Sequence, residues 1–170
     1  MTKHSSVLVL NALLIFVICG VLLGAYDIQF FHHEQPCPLC LLQRLAMIGI
    51  ACGALMNLRF GIQPLHYGIS LLSLTFGASV SLRHIALHIC PQMPPAGEAV
   101  LGFHLYVWAF LVFGCSLLAI TIMLMLYDKK TDGVKPKKMS ILFMLAFAIL
   151  LITTFTNVIT TFLQCKWGVC

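Results

Sequence analysis

A chain of 170 residues that is 61% hydrophobic and 9% charged, with a mean hydropathy of +1.01, lies far from the roughly 25% charged residues of a soluble globular domain. That composition excludes a soluble enzyme and points to a membrane. The surplus of 10 Lys and Arg over 5 Asp and Glu does not read as a nucleic-acid surface, because no basic patch interleaves with aromatics in a folded domain; its explanation is topological.

Apolar runs of about 20 residues with few charges read as transmembrane helices. Five occur, at residues 7–26, 39–58, 65–85, 103–127 and 139–163. The first could be a cleaved signal peptide, but no small-x-small site follows it and Cys19 is preceded by Ile18, so a retained helix is expected. Because the spans use most of the chain, any chemistry is expected at helix ends or between helices. The predicted class is an all-α integral membrane protein.

Positive residues in short loops mark the cytoplasmic side. With the N-terminus inside, that side holds Lys3, Arg59, Lys129, Lys130, Lys135, Lys137 and Lys138, against Arg44, Arg83 and Lys166 outside. The expected orientation is N-terminus in and C-terminus out. Residues 128–138 then form a basic cytoplasmic loop, and 139–170 a fifth helix with an external tail.

The cysteines sort by this topology. Cys19, Cys52 and Cys115 fall inside spans and are expected to be small apolar packing residues. Cys37, Cys40, Cys90, Cys165 and Cys170 map to the outer face, which in a bacterial envelope is the oxidising periplasm where disulfides persist. The segregation points to thiol redox chemistry.

Cys37-Pro38-Leu39-Cys40 stands directly before the second span. A C-x-x-C opening a helix meets unpaired backbone N–H groups and the positive end of the helix dipole, which favour the reactive thiolate. Pro36 and Pro38 stiffen the approach, and Pro38 suits a first helical turn. Two alternatives stand beside redox catalysis: a static disulfide, and half of a zinc site completed by Cys165 and Cys170 with His32 and His33 nearby. Arg44 follows Cys40 by four residues and Cys37 by seven, which puts all three on one helix face. A cation there reads either as stabilising negative charge at the site or as snorkelling to the interface. On the fifth span Thr153, Asn157, Thr160 and Thr161 share a face, expected to pack by interhelical hydrogen bonds, with a quinone-facing role as the alternative.

The string from Pro36 to Ala46 (PCPLCLLQRLA) resembles the start of the second helix in the disulfide-bond formation protein B (DsbB) family of inner-membrane thiol:quinone oxidoreductases. Arg83 to His88 (RHIALH) with Pro91 resembles that family's third-helix end, and Leu101-Gly102-Phe103 with Trp108 the entry to its fourth helix. The resemblance covers roughly residues 1–127. It implies a four-helix bundle that binds ubiquinone or menaquinone, oxidises a periplasmic DsbA-like thioredoxin-fold oxidant and passes two electrons to the quinone, the relay that keeps the bacterial periplasm oxidising. Carried over, Cys37 and Cys40 are the redox pair, Cys40 is the sulfur that meets the quinone, and Arg44 and His84 bind it. From the residues alone His84 reads as an interfacial histidine. No metal is implied.

The pattern departs from the family twice. Between the third and fourth spans about 17 residues carry Cys90 alone instead of a long loop with its own cysteine pair, and a fifth span brings Cys165 and Cys170 to the same side. Either Cys37 exchanges directly with the partner, or Cys165 and Cys170 relay oxidation with Cys90 auxiliary. Other readings are a quinone-linked thiol oxidoreductase with another partner or direction, and a non-catalytic membrane protein with a structural disulfide or zinc site.

Overall fold

The computed structural model describes residues 3–31, 37–89, 100–127, 129 and 141–165. They form five helices: α1 (Lys3–Phe31), α2 (Pro38–Phe60), α3 (Pro64–Ile89), α4 (Leu105–Met125) and α5 (Ile141–Cys165). Each is long and apolar enough to cross a membrane. Lipid offers backbone N–H and C=O groups no partners, so a segment that crosses must satisfy them within itself, as a helix does. The chain is a multi-pass membrane protein. Helix α1 is the main difference in extent from the apolar runs: its 29 residues rise about 43 Å, because helix continues past the apolar stretch at both ends.

Helices α1 to α4 pack as a bundle in which neighbours in sequence are neighbours in space and α1 also meets α4; α5 packs outside it, against α1 and α2. Small residues set the closest approaches. The Ser70 hydroxyl of α3 donates to the Ile50 carbonyl of α2 at 3.0 Å. A Cβ on Gly53 would collide with that hydroxyl, and a Cβ on Gly77 would strike the Phe113 ring of α4 and come within 2.7 Å of Ala46 Cβ on α2. Without a hydrophobic drive between helices in lipid, such contacts carry the packing.

The α2–α3 turn is short because its residues punctuate it. Gly61, at φ 95° and ψ 162°, ends α2 in a backbone region that glycine alone enters readily, and Pro64 begins α3, where a missing N–H costs nothing. A buried polar cluster locks this turn. Asn57 Oδ1 accepts from the Gln63 backbone N–H at 3.1 Å and pairs with His66 Nδ1 at 3.0 Å. Asn57 Nδ2 donates to Asn11 Oδ1 at 3.0 Å, and Asn11 Nδ2 donates to the Tyr67 hydroxyl at 3.0 Å and to the Val7 carbonyl at 2.8 Å. Three helices are thereby tied at one end of the bundle.

On α5, Thr153, Asn157 and Thr160 are buried, but the Thr153, Thr160 and Thr161 hydroxyls donate to carbonyls of their own helix, so the expected interhelical polar contacts are found among them at Thr153 alone. The Tyr26 hydroxyl donates to the Thr153 carbonyl at 3.0 Å, and Cys19 Sγ lies 3.7 Å from Thr153 Oγ1. Cys19 is a buried packing thiol as expected. Cys52 and Cys115 are exposed instead, so the buried packing role expected from their apolar setting holds for Cys19 alone of the three.

Candidate active site

Cys37 is the N-cap of α2 and Pro38 its first helical residue. The Cys40 backbone N–H donates to Cys37 Sγ at 3.2 Å, so the sulfur takes up one of the donors that a helix start leaves unpaired. The two sulfurs lie 2.8 Å apart, which needs only a small side-chain rotation to reach the roughly 2.05 Å of a disulfide. With both thiols reduced, the shared hydrogen bond from Cys40 holds the Cys37 thiol well below the ordinary thiol range; the contact with His84 and the Cys40 amide act in the same direction against the opposing effect of burial. In the reduced pair the negative charge therefore favours Cys37.

Helix α3 supplies His84, which is 1% exposed and so is no interfacial histidine. Its Nε2 lies 3.7 Å from Cys37 Sγ, and its Nδ1 lies 3.5 Å from Gln43 Nε2. In the amide orientation assigned to Gln43, an N–H faces Nδ1, which leaves the imidazole proton on Nε2, toward the sulfur. The Tyr106 ring of α4 packs on His84 with centroids 4.7 Å apart.

Arg44 does not snorkel. It is buried, donating to Gln29 Oε1 at 2.6 Å and to the Ala25 carbonyl at 3.2 Å on α1, with its guanidinium 4.9 Å from the centre of the Tyr26 ring. No described carboxylate pairs with it. Tyr26, whose hydroxyl holds α5, thus also lies under the site cation. Sequence reading missed this residue and Gln43; the sole hint was spacing, since Gln43 precedes Arg44 and Tyr26 ends the first apolar run.

These groups line a cavity of about 380 Å³ between the Cys37 ends of α1 to α4, with walls that are mostly aliphatic and aromatic. Arg44, His84, Gln43, Cys37 and Cys40 all reach it. Its far rim is the turn 100–103, closed by paired backbone bonds between Val100 and Phe103 of 2.9 and 3.1 Å. Leu101 takes a left-handed φ of 52° there, rare for a branched side chain, and the Trp108 indole N–H pins the turn through the Val100 carbonyl at 2.9 Å. No described residue of α5 lines the cavity.

The structure thus brings Cys37, Cys40, Arg44 and His84 together. Cys90 and Cys170 lie outside the described residues, as do His32 and His33; Cys165 is the last residue of α5, and its side chain is likewise outside them.

Comparison with known proteins adds to this geometry. The family model for disulfide bond formation protein DsbB matches residues 8–98, just over half of the chain, through α3 and short of α4. A disulfide bond formation protein B of Cupriavidus pinatubonensis is 35% identical over 81 residues, covering 47% of this chain and 50% of that protein. One from Saccharophagus degradans is 38% identical over 94 residues, covering 51% and 57%, and one from Ralstonia nicotianae 40% over 83, covering 47% and 52%. The chain spans about half the length of the curated relatives it matches. No solved structure matches it.

Proposed function

The chain belongs to the DsbB family of disulfide bond formation proteins, and from that premise we propose that it is a membrane protein dithiol:quinone oxidoreductase that reoxidises a periplasmic DsbA-like oxidant. One observation carries the reading: two sulfurs in bonding reach stand at an apolar cavity whose buried cation, Arg44, has no described carboxylate partner. A volume of about 380 Å³ falls within the roughly 300–1,000 Å³ of small-molecule pockets. Aliphatic walls with Arg44 and the His84 N–H suit a flat apolar ring carrying carbonyl oxygens, so the residues fit ubiquinone or menaquinone.

The chain's own atoms order the steps. In the oxidised state Cys37 and Cys40 share a disulfide. A thiolate of the tail pair Cys165 and Cys170, reduced by the partner, attacks Cys37, the sulfur at the helix cap; a tail–Cys37 disulfide forms, the Cys37–Cys40 bond breaks, and Cys40 keeps the electron pair. The second tail thiolate then displaces Cys37, whose departing charge is received by the Cys40 amide and by His84, and the tail disulfide so formed oxidises the partner. When bound beside Arg44 and His84, a quinone would supply the acceptor for the pair's two electrons and two protons. Arg44 and His84 orient and polarise its oxygens, and the aliphatic walls exclude water. The charge preference for Cys37 in the free dithiol and a quinone-facing Cys40 belong to successive states: Cys40 is the free sulfur while Cys37 is held in the mixed disulfide.

In this reading residues 1–127 are the catalytic bundle in a bacterial inner membrane, 128–138 the cytoplasmic loop, and 139–170 a fifth helix that carries Cys165 and Cys170 to the periplasm. The lysines at 129–138 support that orientation. A membrane-impermeant thiol reagent on intact reduced cells then labels Cys165 or Cys170; labelling only after the membrane is opened overturns the orientation. Cys165 and Cys170 serve as the relay to the partner, with Cys90 auxiliary. Turnover unchanged by Cys165→Ser with Cys170→Ser would instead establish direct exchange at Cys37. The decisive assay for the whole reading is quinone reduction driven by a reduced DsbA-like protein, with a folded but inert chain as the opposing result.

A further inference from the structure

The same three side chains that would carry redox chemistry also satisfy the donor requirements of a metal. Cys37 Sγ, Cys40 Sγ and a ring nitrogen of His84 lie within 4.8 Å of one another. Zinc bonds of about 2.3 Å to sulfur and 2.0 Å to nitrogen at tetrahedral angles hold donor atoms about 3.5–3.8 Å apart. The Cys37–His84 separation is already 3.7 Å. The sulfurs, at 2.8 Å, must open by about 1 Å to match, a rotation of two side chains at a helix start. Soft thiolates with one imidazole select thiophilic d10 cations over Mg²⁺ or Ca²⁺.

We propose that the reduced Cys37, Cys40 and His84 form a redox-gated site for a thiophilic d10 cation such as Zn²⁺ or Cd²⁺, with the fourth position open to water. Binding releases the one proton that the reduced pair still holds, on Cys40, and forms two metal–sulfur bonds and one metal–nitrogen bond; no electrons move. Once the sulfurs are joined in a disulfide they are no longer thiolates, so metal and disulfide exclude each other.

Gln43 completes the site. Metal on Nε2 requires the proton on Nδ1, and rotation of the Gln43 amide turns its oxygen toward that proton, the outer-shell support that metal-bound histidines use. The Gln43–His84 contact therefore serves either tautomer. An occupying cation would hold both sulfurs as ligands, which makes the reduced form, and not the oxidised one, the target of inhibition by soft metals.

The site exists whether or not the chain reduces a quinone, so its test reads metal alone. Purified full-length chain with Cys52, Cys90, Cys115, Cys165 and Cys170 replaced by serine is titrated with Zn²⁺ against a chromophoric chelator, and with Cd²⁺ for its thiolate charge-transfer band. The reduced protein is expected to take one equivalent, and the diamide-oxidised protein none at this site. Cys37→Ser or Cys40→Ser should abolish the band, and His84→Ala should weaken affinity at least ~10-fold while both thiols remain. Because His84 is buried, His84→Gln provides a second variant of similar volume with the same expected loss. Equal binding by oxidised and reduced protein, or affinity unchanged in both His84 variants, overturns the proposal. Neither result bears on thiol oxidation by quinone.

Discussion

Helix α2 carries a polar cluster at each end, and the two are built to opposite rules. At its C-terminal end Asn11, Asn57, His66 and Tyr67 spend their hydrogen bonds on one another and on the backbone. Among the described residues the buried side-chain N and O atoms left without a partner are Ser81 Oγ and Asn157 Oδ1, neither of them here. At the N-terminal end two sulfurs, an imidazole and a guanidinium surround open space. The contrast separates structure from function: the closed network holds helices together, whereas the groups at the other end, though bonded to neighbours, face a cavity of small-molecule size.

Breaking each end in turn sharpens that contrast. The largest effect is expected at the sulfurs. Cys40→Ser leaves no disulfide to exchange, so quinone reduction with a dithiol donor falls to background while helix content and thermal stability hold; a turning-over variant would refute the assignment. At the closed end Asn57→Ala removes one acceptor shared by the Gln63 N–H and His66 together with the donor to Asn11. Two or more buried groups left unpaired should destabilise the bundle by about 2–4 kcal/mol, read from detergent or urea unfolding, with activity per folded molecule unchanged. Reduced activity at full stability would show that the two ends are coupled.

Arg44→Met removes the cavity's cation and should weaken quinone binding by roughly 10- to 100-fold, about 1.4–2.7 kcal/mol, with no loss of dithiol–disulfide exchange at Cys37. Titration of bound quinone checks the first part and partner-exchange kinetics the second. Tyr26→Leu takes away the ring under Arg44 and the hydroxyl that holds α5, so a smaller loss of quinone affinity is expected, on the order of 1 kcal/mol. Tyr26→Phe separates the two contacts: it keeps the ring and should retain affinity, whereas equal losses in both variants would assign the effect to α5.

The smallest effect concerns pH. An ordinary thiol with a pKa near 9 loses thiolate about tenfold for each unit below it, roughly 100-fold between pH 8 and pH 6. Cys37, with its pKa lowered by Cys40, His84 and the Cys40 amide, stays ionised through that interval. Alkylation of reduced Cys37 in chelator-containing buffer should therefore change by less than about threefold, followed by mass spectrometry. A 100-fold decline would mean that these hydrogen bonds do not hold the charge on Cys37.

Much of this architecture was legible from one-dimensional signals, because they depend on local chemistry. Apolar length alone marks each helix, since lipid leaves the backbone no other conformation. Pro38 after Cys37, and Arg44 one turn beyond Cys40, place three groups on one helix face by spacing alone. Composition is silent on how that face meets others. Packing of α3 against α2 is what converts His84 from one histidine near a helix end into a buried imidazole 3.7 Å from Cys37. It is also what makes Gln43 the partner of His84, and what sets Tyr26 between Arg44 and α5. Cys52 and Cys115 share the apolar setting of Cys19 in sequence, yet Cys19 alone of the three is buried. Hydropathy counts how many residues avoid water; in a membrane both lipid and protein satisfy that count, so which of the two a side chain meets is decided where the helices touch.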